Sequence, residues 1–270
     1  MIDCGEGTQL AWRGTRLNWQ RLTHIFITHA HGDHVFGLPG LISSMALMGR
    51  KAPLIIHGPA QLRPFLQCVL ANFCQGMDYQ VEFVTVDTTE HKRVYVDRSM
   101  EVWSLPLKHR VPCCGYLIKE APIADHIRRE MIDFYKVPLQ AIKAIKAGGD
   151  WTTPDGQVVP HERLTTPAEP ARSYAYCSDT MPVPEVAEWC QGVDLLYHEA
   201  TFADVHQQRA QEVGHSTARE AAMVAKASNA KRLLLGHFSA RYPDEEMLLR
   251  EAQEVFPNTI LAAEGLCITP

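Results

Sequence analysis

The run His29-Ala30-His31-Gly32-Asp33-His34 places four metal-binding side chains within six positions. Imidazole nitrogens and a carboxylate oxygen are donors that Zn²⁺ prefers, and Mn²⁺ or Fe²⁺ accept the same set. The run follows directly on Leu22-Thr23-His24-Ile25-Phe26-Ile27-Thr28, which reads as a buried strand. In an extended segment, side chains two apart point the same way, so His29 and His31 can grip one ion together. Gly32 then lets the chain turn tightly and redirects Asp33 and His34 toward a second ion. A solvated histidine-rich loop accounts for one or two of these residues, not for four at this spacing beside a hydrophobic strand. The chemistry implied is metal-assisted hydrolysis, in which two ions about 3.5–4 Å apart clamp the attacking and leaving oxygens.

Two ions need more donors than one run supplies. Three further candidates each follow a strand-like segment. His109 follows Val102-Trp103-Ser104-Leu105-Pro106-Leu107, Asp179 follows Tyr174-Ala175-Tyr176-Cys177-Ser178, and His237 follows Leu233-Leu234-Leu235-Gly236. In α/β sheets ligands gather at one end of the strands, so the shared placement marks all three as candidate ligands. Two more positions have acid–base potential. His198-Glu199 ends the strand-like Leu195-Leu196-Tyr197, and His215 sits just before Ser216-Thr217, the start of a helix. A helix N-terminus disfavours the charged form of a nearby histidine. The residues alone therefore leave His215 open between a neutral, hydrogen-bonded histidine and a proton donor paired with Glu199. His24, His57, His91, His126, His161 and His206 lack such a setting and read as structural or surface residues.

The elements that must position these residues alternate along the chain. Ile2-Asp3-Cys4 reads as the tail of a strand and Gly5-Glu6-Gly7-Thr8 as a turn into a helix. The chain thus opens in mid-element, and we expect earlier strands of the domain to be lacking. Strands are expected at 53–57, 79–86, 93–96, 101–107 and 115–118, with helices at 41–48 and 60–73. The stretch at about 121–172 breaks this rhythm. It holds helical pieces at 125–134 and 139–146, a turn at Gly148-Gly149-Asp150 and a hairpin around Pro154-Asp155-Gly156, and it reads as an insertion or arm. Alternation resumes with strands at 173–178, 194–198, 232–235 and 259–263 and helices at 217–227 and 244–255. Thr217 and Glu220 are spaced as a capping box. The expected architecture is layered α/β, with helices outside and sheet inside.

Composition narrows the function. A chain of 270 residues with a formal net charge of −5 does not hold nucleic acid by its overall charge. RNA contact must come from a local basic patch. Eight cysteines, among them Cys68, Cys177, Cys190 and Cys267 in apolar runs and the adjacent Cys113-Cys114, read as reduced, mostly buried thiols of a cytoplasmic protein. No run approaches the roughly 20 apolar residues of a membrane span, and the N-terminus has no signal-peptide character.

The histidine run resembles the signature of the metallo-β-lactamase superfamily. Asp3-Cys4-Gly5-Glu6-Gly7-Thr8-Gln9, Tyr176-Cys177-Ser178-Asp179-Thr180, His198-Glu199-Ala200-Thr201-Phe202, Gly214-His215-Ser216-Thr217 and Gly236-His237-Phe238-Ser239-Ala240-Arg241-Tyr242 resemble, in order, segments of its ribonuclease Z family. The resemblance implies a four-layer αβ/βα sandwich over residues 1–270, lacking the usual N-terminal strand or strands, with a tRNA-gripping arm at about 121–172. It implies that His29, His31 and His109 hold one Zn²⁺, that Asp33, His34 and His237 hold another, and that Asp179 bridges them. It also implies Asp33 as general base and His215 with Glu199 as proton donor to the leaving oxygen. The activity implied is removal of the 3′ trailer from precursor tRNA by a homodimer, leaving a 3′-hydroxyl on the tRNA and a 5′-phosphomonoester on the trailer.

The arm departs from the family pattern, with Lys136-Val137-Pro138-Leu139-Gln140-Ala141 where a Gly-Pro-rich stretch is usual. Its bases Arg128, Arg129, Lys136, Lys143 and Lys146 face Asp125, Glu130 and Asp133 in composition, so a solvated helical face and an RNA contact are both open there. Lys108 and Arg110 flank His109 and are better placed for phosphates. Two competing readings are a small-molecule phosphodiesterase or other hydrolase of the same superfamily, and a catalytically silent RNA-binding or dimer-partner subunit. The seven intact candidate ligands argue against silence.

Overall fold

A computed structural model describes residues 1–270. Strands β1 (His24–Phe26), β2 (Leu54–Gly58) and β3 (Val81–Thr85) form a parallel sheet in that order. Ile25 lies opposite Ile56 in the register, and both are fully buried. Such apolar strands belong in a sheet covered on both faces. Helix Gly37–Leu47 buries Leu38, Leu41, Ile42 and Met45, and helix Leu62–Phe73 buries Leu62, Leu66 and Val69, in one cluster with Ile25 and Ile56. These spacings of three and four put each set on one helical face.

A second sheet starts with β4 (Arg93–Val96), β5 (Met100–Pro106) and β6 (Cys114–Glu120). The insertion contributes β7 (His126–Ile127), β8 (Trp151–Thr152), β9 (Val158–Val159) and β10 (Thr165–Thr166). Then β11 (Ser173–Cys177), β12 (Leu195–Glu199), β13 (Arg232–Gly236) and β14 (Thr259–Leu261) complete seven strands in the order β14-β13-β12-β11-β6-β5-β4. Strands β11 to β14 are parallel, and β11 runs antiparallel to β6. Helices Pro184–Trp189, Ala218–Ala227 and Glu246–Gln253 share a core with this sheet. The stripe Ala218, Ala221, Ala222 and Ala225 is fully buried there. Thr217 caps its helix, its hydroxyl accepting from Glu220 N while the Glu220 carboxylate accepts from Thr217 N.

Phe26, Val86, Val102, Cys114 and Tyr116 form the core between the two sheets. The Tyr116 hydroxyl donates to Ile27 O at 2.7 Å, and Cys114 N donates to Thr28 O at 3.1 Å. Thr28 thus leaves β2 for β6, and the histidine run begins where the sheets meet. The layer order is helix, sheet, sheet, helix, an αβ/βα sandwich.

The chain divides into two compact units. The first is Met1–Asp97, Glu101–Lys119 and Ser173–Pro270, and the second is Arg98–Met100 and Glu120–Arg172. The second has its own small core of Val137, Ile145, Val159 and Leu164. In it β8 pairs with β9 and β7 with β10, both antiparallel.

Several local expectations change. The stretch 125–134 opens as strand β7, and only Arg129–Phe134 is helical. Helix Gly37–Leu47 begins before Pro39, which sits in the first turn, where its missing N–H costs nothing. Helices Pro184–Trp189 and Gln207–Val213 are additional, each too short to show a clear apolar period. Cys68 and Cys267 are exposed rather than buried.

Candidate active site

Five candidate side chains leave the ends of strands. His29 follows β1, His109 follows β5, Asp179 follows β11, Glu199 ends β12 and His237 follows β13 at once. This edge gathers the donors into overlapping groups. The donor atoms of His29, His31, His109 and Asp179 lie within 4.8 Å of one another, as do those of Asp33, His34 and His237 and those of Asp179, His215 and His237. His29 Nε2 and His31 Nδ1 are 3.0 Å apart. Asp179 presents Oδ2 at 3.7 Å from His29 Nε2 and 3.8 Å from His109 Nε2. Its Oδ1 is 3.5 Å from His34 Nε2 and 3.3 Å from His237 Nε2, so one oxygen faces each group. Asp33 Oδ2 is 3.4 Å from His34 Nε2 and 4.0 Å from His237 Nε2. The sequence reading kept His215 apart from the ligands, whereas it stands within the same cluster.

The charge state suits a divalent cation. Burial, then the neighbouring His34, pushes His29 down to about 3, and burial also lowers His109. Burial alone would raise Asp179, but the imidazoles of His237, His34 and His29 outweigh it and hold the carboxylate below its ordinary range. Lowered His29 and His109 and an ionised Asp179 are the forms a metal ion takes, because ligands bind deprotonated. His109 Nε2 is buried without a hydrogen-bond partner. An orphaned polar atom of that kind costs about 1–3 kcal/mol, and a cation would satisfy it.

Nδ1 is also occupied in five histidines of the cluster. His34 Nδ1 is 2.8 Å from Asp3 Oδ2. His29 Nδ1 is 3.0 Å from Thr28 Oγ1, which in turn donates to Asp3 at 3.0 Å. His109 Nδ1 donates to Gly214 O at 2.8 Å, and His237 Nδ1 is 2.9 Å from Thr201 Oγ1. His215 Nδ1 is 2.8 Å from Glu199 Oε1. With Nδ1 protonated in His29, His34, His109 and His237, Nε2 is left as a lone-pair donor, and such partners fix the tautomer and ring orientation. Asp3, Thr28, Thr201 and Gly214 were not among the candidate site residues. Asp3, Thr201 and Gly214 lie in the segments that carry the resemblance, but a threonine or a backbone carbonyl has no ligand signature of its own.

Two of the four left-handed non-glycine residues of the chain lie here. His237 (φ 59°) and Asp3 (φ 52°) are left-handed non-glycine residues, a conformation that costs about 1–3 kcal/mol and clusters at functional sites. A Cβ on Gly5 would stand 2.4 Å from Asp33 O, so the turn after Asp3 passes directly under the helix that carries Asp33 and His34. Gly32 acts differently from the expected flexible turn. Helix Gly32–Val35 starts there, and a Cβ would meet the Phe36 ring at 2.4 Å.

The remaining histidines lie elsewhere. His24 pairs with His57 at 3.0 Å, His91 stacks between Trp103 and Trp189, and His161 pairs with Asp125 at 2.7 Å. His198 is buried, with Nδ1 on Glu199 O.

The ribonuclease Z of Parabacteroides distasonis is 53% identical over 266 residues, spanning 98% of this chain and 88% of that one. The chain belongs to the ribonuclease Z family. Ribonuclease Z of Bacteroides fragilis is 54% identical over 269 residues, covering 100% of this chain and 88% of its own length. A family model described as beta-lactamase superfamily domain matches residues 163–238, and one described as anti-Pycsar protein Apyc1 matches residues 1–123. The crystal structure of the short form of human tRNase Z superimposes with a TM-score of 0.68 at 27% identity, covering 99% of this chain and 86% of that one. As a ribonuclease Z family member with the metallo-β-lactamase fold, the chain is a metal-dependent hydrolase, and its His/Asp cluster suits a divalent cation.

Proposed function

We propose that this chain removes the 3′ trailer from precursor tRNA, cutting so that the tRNA keeps a 3′-hydroxyl and the trailer takes a 5′-phosphate. The observation that carries the reading is the His215–Glu199 pair set against a seven-donor cluster in a ribonuclease Z family chain. The donor set suits two Zn²⁺, with Mn²⁺ or Fe²⁺ as alternatives. His29, His31 and His109 would hold one ion, Asp33, His34 and His237 the other, and Asp179 would serve both. Such ions, when bound, supply charge that neutralises a phosphate and ionises water near neutral pH.

The chain's own groups do the rest. Asp33, with 68% of its side chain exposed, can accept the proton of the attacking water. The phosphate stays on the trailer, so the leaving atom is the 3′-oxygen of the tRNA. His215 keeps Nδ1 on Glu199, which leaves Nε2 to protonate that oxygen. Burial works against the proton on His215, but the hydrogen bond and charge of Glu199 overcome it and raise the pKa above its ordinary value. Lys108 and Arg110 are exposed beside His109 and would meet backbone phosphates.

The second unit is the inferred arm. Its exposed Arg129, Lys136 and Lys143, with half-buried Arg128 and Lys146, support a grip on tRNA. We also infer a homodimer. Exposed Leu10, Leu17, Leu47 and Met48 support it, beside a cavity of about 310 Å³ lined by Trp12, Trp19 and Met45. A cytoplasmic location agrees with eight free cysteines. No helix is long and apolar enough to cross a membrane.

Incubation with a 3′-extended pre-tRNA and mapping of both new ends tests the activity. A cut just 3′ of the acceptor stem with a 3′-hydroxyl is expected. No cut, or a 3′-phosphate on the tRNA, overturns the reading. Removing about 121–172 should abolish tRNA cleavage and spare a small phosphodiester such as bis(p-nitrophenyl) phosphate. Undiminished tRNA cleavage would remove the arm from substrate binding. A monomer by light scattering at all concentrations would overturn the dimer.

A further inference from the structure

We propose that the Thr201 hydroxyl is a positioning group that couples the orientation of His237 to the Glu199–His215 pair. The proposal rests on the reading that the cluster holds a divalent metal. Thr201 is 8% exposed, and its Oγ1 lies 2.7 Å from Glu199 Oε2, 2.9 Å from His237 Nδ1, 3.0 Å from His237 O and 3.3 Å from His215 Nδ1.

A hydroxyl has one hydrogen to give and two lone pairs to receive. His237 turns Nε2 toward Asp179 Oδ1, so its Nδ1 carries the hydrogen and donates to Thr201 Oγ1. The threonine hydrogen is then free for Glu199 Oε2, its shortest contact. Glu199 cannot swing to follow, because it is fully buried and also accepts from Thr180 N at 2.9 Å and Thr201 N at 3.0 Å. Its other oxygen receives His215 Nδ1. The result is one directed chain, His237 to Thr201 to Glu199, with His215 donating into the same carboxylate. Hydrogen bonds in series polarise one another, so a change at one end is felt at the other. Thr201 also steadies the backbone of His237. Thr201 O accepts from Ser239 N at 3.3 Å, just past the left-handed His237.

Glu199 therefore influences a metal that it never touches, and Thr201 carries the influence. The test uses the full chain as wild type, Thr201→Val, Thr201→Ser, Glu199→Gln and the Glu199→Gln/Thr201→Val double variant. Zn²⁺ affinity is read by competition with a chromogenic chelator, and folding by thermal unfolding of the metal-free proteins. Thr201→Val keeps the side-chain shape and should weaken Zn²⁺ binding by about 10–100-fold, the usual effect of losing a partner behind a ligand histidine. Thr201→Ser should restore most of it. Glu199→Gln should also weaken binding, and that loss should vanish in the Thr201→Val background, the non-additivity expected of groups in one network.

Wild-type affinity in Thr201→Val, no rescue by serine, or an equal Glu199→Gln loss in both backgrounds would each overturn the coupling. Should Thr201→Val fail to fold, Thr201→Ser against Thr201→Ala decides the same point. Cleavage of pre-tRNA by the wild type is scored separately. A chain that shows the coupled Zn²⁺ affinities yet cuts no pre-tRNA overturns the proposed activity and leaves the coupling standing.

Discussion

Two carboxylate–threonine pairs hold the site from opposite sheets, and they do different work. Asp3 receives His34 Nδ1 on Oδ2 and Thr28 Oγ1 on both oxygens, and Thr28 in turn holds His29. Both imidazoles that this pair steers belong to the donor cluster. Glu199 receives Thr201 and His215, and Thr201 holds His237. Only one of those imidazoles is a proposed ligand, and the other is the proposed acid. The same device, a buried carboxylate reaching one histidine directly and another through a threonine, thus serves metal binding alone at one edge. At the other edge it joins metal binding to proton transfer.

This comparison predicts unequal losses. Asp3→Asn should be the most damaging change to metal content. It removes the charge behind two ligand histidines, while asparagine tolerates the left-handed backbone at φ 52°. A loss of at least about 100-fold in affinity is expected, at the upper end of what one partner contributes, and elemental analysis after dialysis would measure it. Glu199→Gln should lose less metal but slow cleavage by about 10²–10⁴-fold, the range for a disabled acid. Single-turnover rates at saturating Zn²⁺ would read that. If Glu199→Gln strips more metal than Asp3→Asn, the division of labour is wrong. Thr28→Val removes the hydroxyl between His29 and Asp3 but leaves Asp3 on His34, and should weaken Zn²⁺ binding by about 10-fold, the low end of the same range.

The donors were legible in the sequence and the pairs behind them were not. His29 to His34, His109, Asp179 and His237 advertise themselves because each follows an apolar strand, and strand ends converge in an α/β fold. Asp3 meets His34 across 31 positions, and nothing in either neighbourhood announces that contact. Thr28 reads as the last residue of a strand, and Gly214 contributes only its carbonyl. Gly32 was expected for conformational freedom, but it opens a helix, and a Cβ there would push on the Phe36 ring. The layers followed from apolar periodicity, whereas helices of six or seven residues such as Pro184–Trp189 and Gln207–Val213 offered too little of it.

The smallest expected effect is the pH dependence of the metal-free protein. His34 and His215 both lie above their ordinary value of 6.5 although burial opposes the proton, because Asp3 holds one and Glu199 the other. A histidine raised on folding stabilises fully below its unfolded pKa, and that contribution is lost as pH rises through the folded value. The window therefore opens near pH 6.5 and extends upward. His29 and His57, pushed down to about 3 and about 4, act in the opposite sense, adding stability as pH rises toward 6.5. The total slope mixes the two, so the informative quantity is the difference between wild type and variant. Urea unfolding of metal-free protein at several pH values should show the Asp3→Asn deficit largest at low pH and shrinking above about pH 6.5. Glu199→Gln should behave the same way, since each pair holds one protonated histidine. A deficit that is flat with pH for one variant and not the other would show that only one of the two pairs binds its proton in the absence of metal.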